Sequence, residues 1–278
     1  MVVSMALRAG SNGAAASVAP ILLLWLGLCR RALALTTGGT ASHANLSPQG
    51  AVEAQHEVPI KVACVGASIT QGLLASPGRD YPSQLQALLG PGFRVANFGH
   101  TDTTALRQGQ TFDAVQALVR HGQGFRTACY QNTRDFQDAL AFQPDVVVIQ
   151  FGANDSKDYN WQPHSGEFVR DYSHLVGAFT KLSSHPKVYL MLPPPLYKQG
   201  VYSMNATVVN EAIPSLIQEV AIANGLPPPV DVFGTFKEHC PPSLSMSCDW
   251  ISLDGCHPND VGYWHIAETV GAAIKAPQ

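Results

Sequence analysis

Ser68 stands in the stretch VGASITQG, directly after the apolar run PIKVAC. A serine hydroxyl attacks an acyl carbon only when a base takes its proton and when donors hold the oxyanion that forms. A base and its orienter are available in LDGCHPND, where Asp254 and His257 lie three residues apart. That spacing lets a carboxylate fix the imidazole tautomer while the other ring nitrogen faces the serine. Donors are available in NFGHTDTTA and FGANDS: Gly99 has no side chain to block its N–H, and Asn154 carries an amide. Taken singly, each is also an ordinary turn residue, and His257 is one of ten histidines.

These residues need a scaffold that gathers them. Five short apolar runs, Ile60–Gly66, Phe93–Gly99, Asp145–Gly152, Lys187–Pro193 and the weaker Pro229–Gly234, are continuous rather than alternating. Such runs suit strands of a parallel sheet covered on both faces. Between them lie amphipathic stretches: YPSQLQALLG, TRDFQDALAFQP behind a capping threonine, SGEFVRDYSHLVGAFTKLSS with Phe168, Tyr172, Leu175, Val176 and Phe179 on one stripe, NATVVNEAIPSLIQEVAIANG with a kink or restart at Pro214, and PNDVGYWHIAETVGAAIKA. The alternation predicts a doubly wound α/β sheet. Ligands of such sheets bind outside the carboxyl ends of the strands, where Ser68 and the segments after Gly99 and Gly152 would converge.

With 46% hydrophobic and 13% charged residues, the chain has ample material for one core. Residues 1–34 read as a signal peptide: Arg8, the apolar ASVAPILLLWLGLC, and a small-x-small site at Ala32-Leu33-Ala34. A signal anchor in the membrane is the rival reading, the apolar run being short for a span. Residues 35–58 are polar and aperiodic, a flexible lead-in, and residues 59–278 form the single domain. The formal charge of −3 becomes more negative once Arg8, Arg30 and Arg31 leave with the leader. Nothing here favours nucleic acid or an anionic membrane surface as a partner.

Export to an oxidising compartment would permit a disulfide. The spacing leaves the pairing open, with Cys248–Cys256 the expected pair because it would close a short loop around Asp254. Asn45 and Asn205 head glycosylation sequons, whereas Asn154, in a third, should stay unmodified if it is an oxyanion donor. His239, Cys240, Cys248, Cys256 and His257 crowd together but lack the paired C-x₂₋₄-C spacing of structural zinc. No metal and no other cofactor is expected.

In order and position, the blocks GASITQG, NFG, GAND and DGCHP resemble those of the SGNH hydrolases, also called the GDSL esterase/lipase family. The resemblance runs from about Pro59 to Lys275. The phrases ALAFQPDVVVIQFGANDSKDYNW and PPPLYKQGVYSMNATVVNE are similar to its acylhydrolase and carbohydrate acetylesterase branch. It implies a flavodoxin-like α/β/α sandwich with about five parallel strands and no cofactor. It further implies Ser68 as nucleophile, His257 as general base and acid, Asp254 as its orienter, and Ser68, Gly99 and Asn154 as the oxyanion hole. The implied activity is hydrolysis of short acyl esters, acetyl esters of carbohydrate hydroxyls above all. A lipid acylhydrolase, or a catalytically silent carbohydrate-binding protein on the same scaffold, are the alternatives.

Two positions depart from the family pattern. Ala67 stands where an aspartate usually precedes the serine, and Asp102 stands where the second block usually has a further glycine. The G-x-S-x-G elbow of α/β-hydrolases is missing, since Thr70 holds the place of its second glycine.

Overall fold

The computed structural model describes residues 58–112, 125–243 and 248–277. The leader, most of the lead-in and Asn45 lie outside the described residues. Four strands, β1 (Ile60–Gly66), β2 (Phe93–Gly99), β5 (Val146–Gln150) and β6 (Lys187–Leu190), form one parallel sheet in the order β2-β1-β5-β6. A short antiparallel pair, β3 (Gln110–Phe112) and β4 (Phe125–Thr127), stands apart from it.

The continuous apolar runs are explained by two cores, one on each face of the sheet. Period-two alternation sends Ala63, Val65, Val147 and Ile149 to one side, where they meet α3 (Arg134–Ala141), α5 (Phe168–Thr180) and α6 (Ile213–Ala223). It sends Val62, Cys64, Val146 and Val148 to the other, against α2 (Tyr81–Leu89), α7 (Val232–His239) and α8 (Asp260–Lys275). The expected stripe of α5, which follows the short α4 (Asp158–His164), is fully buried from Phe168 to Phe179. Thr133 caps α3, Asp80 caps α2 and Asn259 caps α8, each through its side chain. Pro214 falls in the first turn of α6, after a wide helical turn over Val208–Ala212, so the chain restarts there.

The fifth strand is a correction. Val230 makes one parallel bridge to Met191, and its N–H donates to Leu190 O at 2.8 Å. Asp231 then turns the chain into α7, its side chain accepting the Gly234 N–H at 2.7 Å. Proline at 227, 228 and 229 supplies no N–H to extend a ladder upstream. Among the described residues the sheet therefore has four strands.

From β1 the chain winds outward to β2 and then returns across to β5 and β6, so the order reverses between β1 and β5. A crevice opens beyond the carboxyl ends at such a reversal. Gly66 there pairs with Gly99 on one side and Gln150 on the other, which brings three strand ends into register.

Candidate active site

Ser68 opens α1 (Ser68–Gln71), two residues beyond β1, and is buried with 7% of its surface exposed. His257 and Asp254 come from the loop that precedes α8. His257 Nε2 lies 2.9 Å from Ser68 Oγ, across 189 residues of sequence. Its Nδ1 lies 2.6 Å from Asp254 Oδ2. An ionised carboxylate can only accept, so Nδ1 carries the hydrogen and Nε2 is left to accept from the serine.

Asp254 is arranged to stay ionised. Partial burial pushes its pKa up, but the hydrogen bond from His257 and the N–H groups of Cys256 and His257, both 3.0 Å from Oδ1, outweigh this and hold it below the usual value. Gly255 lets the loop turn: its φ is +75°, and a Cβ there would come within 2.6 Å of Lys198 Cβ.

Asn154 lies on the loop after β5, almost wholly buried. Its Nδ2 donates to Thr103 O at 3.0 Å, and its backbone carbonyl accepts from Asn160 Nδ2 at 3.0 Å. One amide hydrogen of Asn154 is thus left over from its contact with Thr103. Gly99 is placed differently from expectation, because its N–H donates to Asn97 Oδ1 at 2.9 Å. Its glycine identity is explained by packing: a Cβ would lie 2.2 Å from Gln71 N and 2.6 Å from Gln71 Cα. The end of β2 can press against α1 only without a side chain there.

Asp102 adopts a φ of +61°, the left-handed conformation that favours glycine. Its carboxylate lies 3.4 Å from Nζ of Lys157, a residue with only 3% of its side chain exposed. Burial lowers the Lys157 pKa, with Asp102 working against that shift. Asp155, fully buried, accepts the N–H groups of Leu106 at 2.8 Å and Gly152 at 3.0 Å, joining the β2 and β5 loops. Burial pushes its carboxyl up to about 6 against those N–H bonds.

The cysteines correct one expectation. The disulfide joins Cys240, at the end of α7, to Cys248, with Cα atoms 5.7 Å apart. Cys256 is a free thiol buried among Leu196, Met204, Ala206 and Val209, its Sγ 3.8 Å from Met204 Sδ. Burial pushes that thiol up to about 12. With its side chain facing this cluster, Cys256 is committed to packing the Asp254 loop. His239, Cys240 and Asp249 lie close enough together to suggest a metal cluster, but the sulfur of Cys240 is taken by the bridge and His239 pairs with Asp249 at 2.7 Å. Asn205 is half-buried, with its amide 3.2 Å from Asp158 Oδ1.

Lys157 and Tyr202 were not singled out by the sequence. Lys157 follows the GANDS stretch directly and so had a signal by position. Tyr202 lies in the phrase PPPLYKQGVYSMNATVVNE, but nothing in the phrase marks it as a neighbour of His257, which it reaches through an irregular turn.

Residues 64–265 match the model of the GDSL-like lipase/acylhydrolase family. An acetylxylan esterase from Xylanibacter ruminicola is 34% identical over 245 residues, covering 81% of this chain and 45% of that protein. The chain thus spans less than half the length of that relative. Among solved structures, a carbohydrate acetylesterase family member from Sinorhizobium meliloti superposes with a TM-score of 0.54 at 17% identity, covering 78% of this chain and 97% of the other. The aryl esterase of M. smegmatis gives 0.55 at 17% identity, with 78% and 98% covered. At such identities the likeness shows a common fold.

Proposed function

The chain belongs to the GDSL-like lipase/acylhydrolase family, and on that premise we propose that it is a serine esterase removing short acyl groups, chiefly acetyl, from carbohydrate hydroxyls. The observation that carries this reading is the continuous relay from Ser68 Oγ to His257 at 2.9 Å and on to Asp254 at 2.6 Å. The acetylxylan esterase likeness supports the choice of acyl group and alcohol.

Ser68 Oγ attacks the ester carbonyl as its proton passes to His257 Nε2. Asp254, already ionised, stabilises the imidazolium through Nδ1–H. The oxyanion rests on the Ser68 N–H, at the open N-terminus of α1, and on the spare Asn154 amide hydrogen. Expected as a third donor, the Gly99 N–H serves only if it leaves Asn97 when substrate binds. His257 then protonates the departing alcohol. Water, deprotonated by the same ring, releases the acid from the acyl-enzyme. No step calls for a metal or other cofactor. The Cys240–Cys248 bridge supports a working place in an oxidising compartment.

Hydrolysis of p-nitrophenyl acetate by wild type and Ser68→Ala tests the proposal. Loss of at least about 10³-fold in kcat is expected for removal of a nucleophile, and equal rates would falsify the assignment. A series of esters of increasing acyl length separates an acetylesterase, whose kcat/KM falls steadily beyond acetate, from a lipid acylhydrolase, whose kcat/KM rises.

A further inference from the structure

Tyr202 touches the relay from outside. Its hydroxyl donates to Asp254 Oδ2 at 3.3 Å, and its ring meets the His257 ring edge-on, with centroids 5.6 Å apart and planes at 63°. Yet 51% of Tyr202 is exposed, while His257 beside it is buried. Desolvation and the nearby Asp254 raise its pKa, so the phenol keeps its proton and remains a donor.

The backbone is bent to put it there. Tyr202 has φ +50° and Ser203 φ +65°, two successive side-chain-bearing residues in the left-handed region, after Gly200 at φ +73°. Strain of this kind persists only where the surroundings enforce it, and it collects at functional sites. The enforcement is visible. Gly200 N–H donates to Met204 O at 3.0 Å, Tyr197 N–H to Gly255 O at 2.9 Å, and Met204 packs against Cys256. The turn at 200–204 and the Asp254 loop are therefore built as one piece.

His257 also decides which part of a substrate Tyr202 would face. The imidazole must protonate the leaving oxygen, so the alcohol lies on its side of the site, while the acyl carbonyl lies toward Asn154. A half-exposed ring packed against the imidazole borders the alcohol. We propose that Tyr202 is a specificity-determining residue: its ring is the platform on which the apolar C–H face of an esterified sugar ring rests, held at its angle by the hydroxyl bond to Asp254. The inference rests on the esterase reading and deepens it, by naming what selects the alcohol.

The experiment compares kcat/KM of wild type, Tyr202→Ala and Tyr202→Phe on acetylated xylo-oligosaccharide, p-nitrophenyl acetate and ethyl acetate, which offers no ring. Tyr202→Ala should lower kcat/KM for the acetylated sugar about tenfold more than for ethyl acetate, chiefly through KM, the scale of one lost aromatic contact. Tyr202→Phe keeps the ring and should hold the sugar-to-ethyl preference within about threefold of wild type. An equal fall on all three esters in Tyr202→Ala would reduce Tyr202 to a positioning residue and overturn the proposal. So would a loss of preference in Tyr202→Phe as deep as in Tyr202→Ala, or a loss confined to the aryl ester. Binding of unesterified xylotetraose to Ser68→Ala, read by saturation-transfer NMR, checks the platform without turnover. A signal abolished by adding Tyr202→Ala supports the platform even if the esterase reading fails, and a signal left intact overturns it.

Discussion

Ser68 and His257 meet at one hydrogen bond but arrive on different kinds of structure. The serine follows β1, which is paired along its length with β2 and along most of it with β5 and has both faces buried. Histidine 257 rides on a loop held by scattered contacts: the Ser252 N–H to its own carbonyl at 2.8 Å, Tyr197 N–H to Gly255 O, and Cys256 among a few aliphatic side chains. The first arrangement is rigid because many backbone bonds and two cores would have to fail together. In the second, each contact is local, and the loop can be altered without unfolding the sheet. In the proposed esterase, a serine at a strand end and a His–Asp pair on a loop would thus divide the work between a fixed partner and an adjustable one.

Two glycines provide the sharpest way to break this comparison. Gly99→Ala drives a methyl group into the backbone of Gln71, where β2 and α1 cannot separate without disturbing the sheet. A loss of about 3 kcal/mol in urea unfolding is expected from such overpacking. Gly255→Ala meets Lys198 instead and must also adopt φ +75°, but the loop can shift. A loss of about 1 kcal/mol is expected there, together with a fall in esterase kcat as Asp254 moves off His257. If the two variants lose equal stability, the division into fixed and adjustable halves is wrong.

The same division explains what was legible beforehand. Val62 to Val65 and Val146 to Ile149 are written as continuous apolar runs because both sheet faces are covered, so the parallel strands β1, β2, β5 and β6 and the order of elements can be read from pattern, whereas the short pair β3 and β4 has no such run. The meeting of Ser68, His257 and Asp254 can be anticipated because such a relay restricts residue type. The weak run at Pro229–Gly234 misled, since Asp231 is a helix cap there and an apolar period says nothing of capping. The short loop around Asp254 suggests Cys248–Cys256 rather than the observed Cys240–Cys248 bridge, because the sequence says nothing of where α7 ends, a tertiary fact. Close packing of Gly99 against Gln71 accounts for the glycine by itself, so the residue type there does not speak for an oxyanion donor. Tyr202 was hidden because its place depends on left-handed residues at 202 and 203, which no side-chain pattern announces.

Asp155 sharpens the comparison on the fixed side, since it ties the β2 and β5 loops through two backbone N–H groups. Its folded pKa of about 6 lies above the ordinary carboxylate value. Between that ordinary value and about 6, the folded state binds a proton that the unfolded state has released. Stability from this group is therefore present in acid and is lost as pH rises through that window. Wild type should lose about 2 kcal/mol from this source between pH 4 and pH 7. Asp155→Asn carries a constant offset for its altered hydrogen bonding but lacks the slope. Urea unfolding of both proteins across that range isolates the group, and parallel curves would mean that the carboxyl is ionised throughout.

An effect as small as that of Gly255→Ala is expected at the seam between the halves, where Lys157 follows the Asn154 loop and has Asp102 as its counter-charge. Asp102 holds a backbone conformation suited to glycine, so its side chain must contribute enough to offset the strain. The evident contribution is to the buried ammonium of Lys157. Asp102→Asn keeps the shape and removes the counter-charge. A loss of about 1 kcal/mol near neutral pH is expected, discounted because Asp102 is itself 46% exposed. The sign of its pH dependence follows from Lys157, whose folded pKa lies below its ordinary value because of burial. Without Asp102 it should fall further, so the folded state sheds the proton before the unfolded state does, and stability rises with pH across that interval. The gap between variant and wild type should therefore narrow in alkali. A gap that stays constant, or Asp102→Gly proving more stable than wild type at neutral pH, would show that relief of strain outweighs the ion pair and that Lys157 needs no partner at the seam.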